Sequence, residues 1–300
     1  MQIKAGSQNA LPPVPVPAET DYIGVYLTNR CFLSCPYCIT NHIDKYINTK
    51  VAELTPEDWI RGLNRLELPP GVPLTFQGGE PFLYPGIWQL LENVHHKIDL
   101  LTALPPQVTP ARFKALKTLE WNRREAPYPT IRVSFHHGQN DYRKLIDRIA
   151  ELQGFLSIGL FHIEHPQYPQ LTEEIRTYAK AKGVEFRTKM FLGSWQGKLY
   201  GRYKYPDACA GRSLGKKVRC KNIVLPVAPD GTLYRCHADL YAGRKALSIG
   251  HLLDPDLTIE NRHRDCDFYG ACSPCDIKVK TNHLQQDGFC SVDIQFHEKA

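Results

Sequence analysis

Strand and helix patterns alternate regularly through the first two thirds of this 300-residue chain, and this alternation limits the possible folds more than any other feature. Short apolar runs such as IGVYL (23–27) and TIRVSF (130–135) are typical of buried strands. Runs such as LTPEDWIRGLNRLEL (54–68) and DYRKLIDRIAEL (141–152) have the apolar spacing of helices. Further strands are predicted at 73–77, 98–103, 155–164 and 184–192, and further helices at 87–97, 109–119 and 171–183. Six such units predict an α/β fold with a parallel sheet and right-handed crossovers, rolled into a full or partial barrel.

The character of the sequence changes after Leu192. Gly, Tyr, Lys and Arg become frequent, apolar periodicity fades, and seven of the ten cysteines lie in the segment Cys209–Cys290. A region with so little apolar periodicity needs bound metal to fold. We therefore predict a flexible Pro-rich leader at 1–20, a partial (β/α)6 TIM-like barrel at 21–200 and a small cysteine-rich, metal-binding domain at 201–300.

The composition favours a chain without a membrane segment. No run of 18 apolar residues occurs in the sequence, and its start lacks the apolar core of a signal peptide. A cytoplasmic location and no membrane partner are therefore expected. In such a reducing compartment, the ten cysteines are more often metal ligands than disulfides.

Three cysteines stand directly after the first predicted strand, in the segment CFLSCPYC. Cys31, Cys35 and Cys38 have the spacing C-x3-C-x2-C. Cysteine thiolates bind zinc or iron–sulfur clusters, and structural zinc sites use four protein ligands. Three ligands favour a cluster in which one iron is left open to another molecule.

A second motif, Gly78-Gly79-Glu80-Pro81, follows the second strand of the predicted barrel. Two glycines allow a close approach of backbone, and a carboxylate can balance an ammonium group. Because the carboxyl ends of parallel strands meet at one edge of the sheet, the two motifs are expected to lie together.

With both motifs in this order, residues 21–192 resemble the radical S-adenosylmethionine (SAM) superfamily. The resemblance implies that Cys31, Cys35 and Cys38 ligate a [4Fe–4S] cluster, whose open iron is chelated by the amino and carboxylate groups of SAM. It also implies that an electron from a donor such as flavodoxin or ferredoxin cleaves SAM to methionine and a 5′-deoxyadenosyl radical. This radical abstracts a hydrogen atom from an unreactive C–H bond of the substrate.

The same resemblance assigns side chains to the bound SAM. Tyr37, the aromatic residue before the third cysteine, is expected near the adenine, and the Gly78–Pro81 motif near the methionine amino group. Ser134 on the fourth predicted strand is expected near the ribose or the carboxylate. No residue is identified as a catalytic acid, base or hydrogen donor.

The later cysteines begin with a C-x10-G-x4-C pattern that Cys220 and Cys236 frame around a predicted Asp230-Gly231 turn. Their order is similar to that of the SPASM extension of radical SAM enzymes, which carries two auxiliary iron–sulfur clusters. The resemblance implies two ligand sets. The first set is Cys209, Cys220, Cys236 and Cys275, and the second is Cys266, Cys272 and Cys290.

The second set lacks one cysteine of the SPASM pattern. His263 stands at its place, three residues before Cys266, and histidine can ligate iron–sulfur clusters. Asp265, or a position left open to substrate, is an alternative. A shorter arrangement, the twitch domain, has one auxiliary cluster and would use Cys220, Cys236, Cys272 and Cys275. It would leave the other three later cysteines without a role.

The resemblance leaves the substrate open. Many SPASM relatives modify peptides or proteins, so we expect such a substrate, with a small molecule such as a sugar or cofactor precursor as the alternative. The molybdopterin-pathway enzyme shares the first cluster, but its pattern does not need Cys209, Cys220 or Cys236.

A zinc-binding module that recognises nucleic acid is the alternative from another class of protein. The formal net charge of +6 favours an anionic partner in general. Ten thiolates and three [4Fe–4S]²⁺ cores would lower this charge to about +2. Nucleic acid is therefore not expected as a partner.

Overall fold

The computed structural model describes residues 11–39, 51–211, 216–280 and 289–296. In chain order, the strands of these residues are β1 (Val14–Pro15), β2 (Tyr22–Thr28), β3 (Leu66–Glu67), β4 (Leu74–Gly78), β5 (Ile98–Thr102), β6 (Ile131–Phe135), β7 (Ile158–Glu164), β8 (Phe186–Met190), β9 (Gly193–Trp195), β10 (Lys198–Tyr200), β11 (Val218–Asn222), β12 (Val224–Val227), β13 (Thr232–Leu233), β14 (Gly250–His251), β15 (Arg264–Cys266) and β16 (Val292–Phe296). The α-helices are α1 (Pro56–Asn64), α2 (Ile87–Asn93), α3 (Pro110–Lys114), α4 (Tyr142–Leu152), α5 (Leu171–Ala181), α6 (His237–Tyr241) and α7 (Pro274–Ile277). Within these ranges, no helix has the length and apolar character that crossing a bilayer requires.

One nine-stranded sheet forms the centre of the molecule, in the order β14-β13-β12-β2-β4-β5-β6-β7-β8. The six strands that the sequence predicts for the barrel are adjacent and all parallel, from β2 to β8. The predicted α/β fold with a parallel sheet is confirmed. Strand β12 pairs in parallel with β2, while β13 and β14 add antiparallel partners beyond it. Residues from the cysteine-rich part of the chain thus extend the central sheet.

The two faces of this sheet differ in polarity. On β6, Ile131, Val133 and Phe135 are buried and belong to the same apolar core as Ile146 and Ile149 of α4. The residues between them on β6 are half-buried and face the other way. We call this second face the polar face; it carries Tyr22, Gln77, Arg132, Ser134 and Lys189.

Local capping explains where the helices begin. The Thr55 side chain accepts a hydrogen bond from the Asp58 N–H, and Pro56 occupies the first turn of α1. The Asp141 side chain caps α4 in the same way. The first helix ends earlier than its predicted range of 54–68, because β3 leaves the helix to pair with β1.

Strand β1 lies in the segment predicted as a flexible leader. Val14 and Val16 are buried in the main core, and their N–H groups donate to Arg65 and Glu67 carbonyls at 2.9 and 3.0 Å. This half of the segment is therefore packed onto the sheet layer. Residues 1–10 of the predicted leader lie outside the described residues.

The cysteine-rich part of the chain has a second small core. Strand β11 lies between β15 and β16 in an antiparallel sheet of three strands. Buried residues such as Val218, Ile277 and Ile294 pack there against several cysteine side chains. The predicted Asp230-Gly231 turn joins β12 to β13. The sequence also predicts a turn at a second Asp-Gly pair, Asp287-Gly288, but these residues lie outside the described ones.

Candidate active site

The three-cysteine loop begins where β2 ends. The Cys38 N–H donates to the Cys35 carbonyl at 3.1 Å, which tightens the end of the loop. The Ser34 N–H donates to Gln139 Oε1 at 2.8 Å, which ties the loop to the segment that follows β6. The loop therefore lies at the carboxyl ends of the parallel strands, as the motif order predicts.

The thiols of this loop affect one another. Burial, followed by the neighbouring Cys38 and Cys31, raises the pKa of the Cys35 thiol to about 12. Burial also raises the pKa of Cys31. Close thiols whose ionisation is suppressed in this way become ligands when a metal supplies the compensating positive charge. Three thiols on one loop are the donor type that an iron–sulfur cluster needs, so the chemistry of Cys31, Cys35 and Cys38 fits such a group, although no three donors of the described residues converge on a single metal-ion position.

The glycines of the second motif lie against the chain that leads into this loop. The Gly79 N–H donates to the Thr28 carbonyl at 2.9 Å, and the Glu80 N–H donates to the Arg30 carbonyl at 2.8 Å. A Cβ atom on Gly78 would lie 2.1 Å from the Thr28 oxygen, and Gly78 has a φ of 145°. Both motif glycines are therefore required by the approach of two backbones.

Glu80 is 1% exposed, and donors of the protein surround its carboxylate. Thr102 Oγ1 and the Ala103 N–H donate to it at 2.7 Å each, and the Phe82 N–H donates at 3.1 Å. Burial raises the pKa of this carboxyl to about 7, against the effect of the three hydrogen bonds. Glu80 thus fastens the end of β4 to the end of β5, while Pro81 opens the short 3-10 turn that follows.

Tyr37 lies in a cluster of aromatic rings at the ends of three strands. Its ring centroid is 4.9 Å from that of His165, 5.9 Å from Phe191, 6.1 Å from His136 and 6.4 Å from Trp195. His136, His165 and Phe191 are the residues directly after β6, β7 and β8. Flat side chains grouped in this way can sandwich a planar heterocycle.

Sequence reasoning missed three members of this aromatic cluster: His165, Phe191 and Trp195. His165 directly follows the predicted strand 155–164, which was the available signal for this residue; Phe191 lies inside the predicted strand 184–192, and Trp195 lies three residues beyond it. Ser134, which was predicted, lies two residues before His136 on the polar face. The Asn140 side chain donates to the Ser134 carbonyl at 3.3 Å and orders the start of the following loop.

A separate cavity of ≈ 50 Å³ lies in the cysteine-rich part of the chain. Its wall contains two cysteines from each of the two predicted auxiliary sets: Cys220, Cys236, Cys266 and Cys272. A hydrogen bond with Cys266, together with burial, raises the pKa of the Cys220 thiol. Cys209 packs in the same small core. The structure thus brings members of both predicted sets together.

The other predicted auxiliary ligands lie around this cavity without lining it. His263 Nε2 is 3.0 Å from Asp293 Oδ2, and the Asp265 side chain is 88% exposed. The Cys290 thiol donates to the Asp276 carbonyl at 3.6 Å. Burial raises the pKa of the Cys275 thiol. Across the described residues, no three His, Cys, Asp or Glu side chains converge on a single metal-ion position.

A buried polar network connects β2 with the cysteine cavity. The hydroxyls of Tyr26 and Tyr241 are 2.7 Å apart. The His237 ring centroid lies 6.2 Å from that of Tyr26 and 5.8 Å from that of Tyr241, and His237 Nδ1 is 2.7 Å from Asp276 Oδ1. Both His237 and Asp276 directly follow cysteines in the chain, so the network fixes the backbone at two predicted ligands.

Comparison with known proteins agrees with this geometry. The sequence pattern of the Radical SAM superfamily matches residues 25–158. The PqqA peptide cyclase of Ruegeria pomeroyi is 32% identical, in an alignment that covers 76% of this chain and 70% of that protein.

Solved structures share the fold. The polyhistidine-tagged form of anSMEcpe with bound AdoMet (SAM) has a TM-score of 0.50 and 16% identity, and the native form has a TM-score of 0.50 and 13% identity. Each alignment covers 81% of this chain and 78% of the solved chain. Radical SAM enzymes use a [4Fe–4S] cluster together with SAM. The identity to the cyclase over this length shows the family: the chain belongs to the radical SAM superfamily and is a radical SAM enzyme.

Proposed function

We propose that this enzyme generates a 5′-deoxyadenosyl radical from SAM and uses it to abstract a hydrogen atom from a peptide or protein. The observation that carries the proposal is the contact of the two motifs. The Gly78–Glu80 backbone is hydrogen-bonded to the Thr28–Arg30 chain that leads into the three-cysteine loop. The segment that leads into the predicted cluster ligands is therefore held against the glycine motif that we propose binds the methionine end of SAM.

Each predicted site residue has a distinct proposed role. Cys31, Cys35 and Cys38 would hold the [4Fe–4S] cluster, which supplies the electron for cleavage of the sulfonium bond. Backbone groups of Gly78–Pro81 would bind the methionine amino group, because the Glu80 carboxylate is already held by protein donors. Tyr37 and its ring neighbours would enclose the adenine and exclude water from the reacting atoms. Ser134 would contact the ribose or the carboxylate.

The domain organisation belongs to the same proposal. The six parallel strands would form a partial TIM-like barrel within residues 21–200, and residues 201–300 a SPASM-like domain. Strand order from β2 to β8 supports the first part, and the small core around β11 supports the second. The continuation of the sheet into β12 means that the two units would share a sheet.

Auxiliary clusters are proposed for the later cysteines. One set would be Cys209, Cys220, Cys236 and Cys275, and the other Cys266, Cys272 and Cys290 with His263 or an exogenous ligand. The cavity lined by four of these cysteines supports a metal-binding role. The hydrogen bond of His263 to Asp293 would orient its ring and leave only Nδ1 for iron.

A peptide or protein substrate is supported by the 32% identity to a protein named PqqA peptide cyclase. A small molecule such as a sugar or cofactor precursor is the alternative. We propose a cytoplasmic setting, in which flavodoxin or ferredoxin delivers the electrons and SPASM-type clusters receive or relay them.

The decisive experiment is anaerobic reconstitution followed by reaction with SAM and dithionite. The proposal predicts brown protein with about twelve irons per chain for three [4Fe–4S] clusters, and production of 5′-deoxyadenosine. A variant with Cys31, Cys35 and Cys38 all changed to Ser should keep about eight irons and form no 5′-deoxyadenosine. Colourless protein that retains only zinc after reconstitution would instead support the nucleic-acid-binding module.

A further inference from the structure

The polar face carries more positive charge than its acidic residues balance. Asp99 is fully buried. Arg132 Nη2 lies 3.2 Å from Asp99 Oδ2, so these two residues form an ion pair. The same carboxylate also pairs with Arg124 at 2.8 Å. One negative charge therefore serves two guanidinium groups, and this trio keeps a formal charge of about +1.

Lys189 of β8 adds a second positive charge to the same face. Its Nζ lies 4.9 Å from the centre of the Phe161 ring, which belongs to β7. Among the described residues, no carboxylate lies within ion-pair distance of Lys189. Burial, followed by the positive charges of Arg132 and Lys278, lowers the pKa of Lys189 to about 7, while the nearby Cys275 thiol, a proposed cluster ligand, acts in the opposite direction.

Lys278 comes from the cysteine-rich part of the chain and approaches the same place. The Arg202 N–H donates to Met190 Sδ at the end of β8 at 3.1 Å, and the Arg202 carbonyl accepts from the Val279 N–H at 2.8 Å. These bonds hold the segment that contains Lys278 next to β8. The described part of the chain provides no carboxylate in ion-pair distance of Lys278, whereas Lys280 is paired with Asp21 at 3.3 Å.

Three neighbouring cations, of which only Arg132 has a carboxylate partner among the described residues and shares it with Arg124, are costly in a position with little access to water. A protein keeps such an arrangement where an anion from outside completes it. We propose that Arg132, Lys189 and Lys278 bind a carboxylate of the substrate on the polar face. This inference rests on the proposed function. A substrate would lie on the polar face, between the proposed SAM-binding residues and the cavity that the four cysteines line.

A peptide supplies such a group through an acidic side chain. Lys189 and Lys278 are half-buried, so a side chain on a flexible backbone can reach them from solvent, whereas the Arg132 side chain is 11% exposed and adds its charge from a deeper position. Two ammonium groups around one carboxylate form charge-assisted hydrogen bonds without a fixed fork geometry. The preferred substrate is therefore a peptide with Asp or Glu near the position that loses hydrogen.

The test uses the reconstituted holoenzyme with SAM bound and two matched probes. N-acetyl-L-glutamate α-amide carries the carboxylate, and N-acetyl-L-glutamine α-amide is its neutral isostere. Binding is measured by saturation-transfer NMR with competition titrations. We expect the glutamate probe to bind and the glutamine probe to bind at least about tenfold more weakly, as for the loss of one charge-assisted contact.

Variants locate the site. Lys189→Met and Lys278→Met should each weaken the glutamate probe about tenfold, while Lys189→Arg should retain binding. Lys180→Met removes the same charge from the exposed outer surface of α5 and should leave the probe affinity unchanged. Thermal unfolding of every variant separates a lost site from a lost fold, and the two methionine variants lie on different parts of the chain.

Three results would overturn the inference. Equal affinity for both probes excludes recognition of the carboxylate, and tighter binding of inorganic phosphate than of the glutamate probe excludes a carboxylate as the preferred anion. Unchanged probe affinity in Lys189→Met, with a shifted reduction potential of an auxiliary cluster, would assign these lysines to the cluster charge near Cys275. SAM cleavage by the wild-type enzyme, measured without any probe, separately tests the proposed function.

Discussion

The Glu80 N–H and the Arg30 carbonyl are joined by a hydrogen bond of 2.8 Å, and this bond connects the two segments that we propose bind the cluster and SAM. The backbone of Gly79, the preceding residue, also lies against the Arg30 carbonyl. A Cβ atom on Gly79 would be 2.1 Å from the same Arg30 oxygen. The geometry of the three-cysteine loop therefore depends on a residue that follows a different strand.

We predict that Gly79→Ala lowers the rate of SAM cleavage by about a hundredfold. The added methyl group forces the two backbones apart, and a displacement of about 1 Å in a reactive site has effects of this size. The measurement is 5′-deoxyadenosine formation at saturating dithionite.

Gly154→Ala is the matched control for this prediction. A Cβ atom there has no neighbour within 4 Å, so stability and activity should stay at wild-type levels. Wild-type cleavage by Gly79→Ala would show that the crossing of the two backbones is not needed for SAM chemistry.

Stability should fall in acid because of His162. This side chain is 1% exposed, and neither ring nitrogen has a hydrogen-bond partner in the described structure. Burial, followed by the nearby His137 and His165, lowers its pKa from 6.5 to about 4. The unfolded chain then binds more protons than the folded chain between these pH values, so stability present above pH 6.5 is lost as the pH falls towards 4.

The expected loss at pH 5 is about 2 kcal/mol for this group. Urea unfolding of wild type and His162→Leu at pH 7.5 and 5 measures it, and the variant should show the smaller drop by this amount. His95→Gln, at an exposed position, should follow the wild-type curve. Parallel pH curves for wild type and His162→Leu would contradict the prediction.

Asp99→Asn should destabilise the protein by about 3 kcal/mol, because it leaves two partly buried guanidinium groups without their shared negative charge. Arg124 and Arg132 have side chains that are 9% and 11% exposed, so water cannot replace the lost carboxylate. Denaturant unfolding provides the measurement.

The exposed pair of Asp58 and Arg61 gives the comparison for this ion pair. Asp58→Asn should change the free energy of unfolding by about 0.5 kcal/mol or less. A similar small value for Asp99→Asn would mean that the buried pairs add nothing beyond their packing.

Iron content can distinguish two auxiliary clusters from one. With two clusters, Cys220→Ser and Cys266→Ser should each remove about four irons, and the double variant about eight. With the single twitch-type cluster on Cys220, Cys236, Cys272 and Cys275, Cys266→Ser should lose no iron, and the double variant should lose no more iron than Cys220→Ser.

Iron and sulfide analysis after anaerobic reconstitution measures this difference. Ser213→Ala, which leaves every cysteine in place, serves as the reference protein. His263→Ala tests the remaining ligand position: a changed electron paramagnetic resonance signal of one auxiliary cluster is expected if Nδ1 binds iron. An unchanged signal would leave His263 as the surface partner of Asp293.

Most central strands were predictable because they are largely apolar runs bounded by turn residues; β8, with the sequence FRTKM, is the more polar exception. The pairing of β12 with β2 was not, since the two strands lie far apart in the chain and parallel pairing at that separation leaves no local pattern. The early end of α1 had a similar cause. Pairing of β3 with β1 competes with helix continuation, and neither strand has more than two residues.

In the candidate site, too, features with a local sequence pattern were predictable and features that depend on distant segments were not. The three cysteines and the glycine motif are short contiguous segments, so the sequence alone was enough to predict them as site residues. The ring neighbours of Tyr37 could not be predicted in this way, because His165 and Phe191 resemble ordinary core residues until strand ends are placed side by side. The contacts of Glu80 were also hidden, because Thr102 and Ala103 follow a different strand.

The pairing of β2 with β12 has a consequence for synthesis of the protein. Until residues 224–227 leave the ribosome, β2 can pair only with β4, and its other side is an open edge beside an apolar core. Unpaired edges of this kind promote association between nascent chains. Translation must therefore pass residue 227 before the strand that leads into Cys31 has both neighbours. A chain released early would be a substrate for proteases and chaperones rather than a smaller working enzyme.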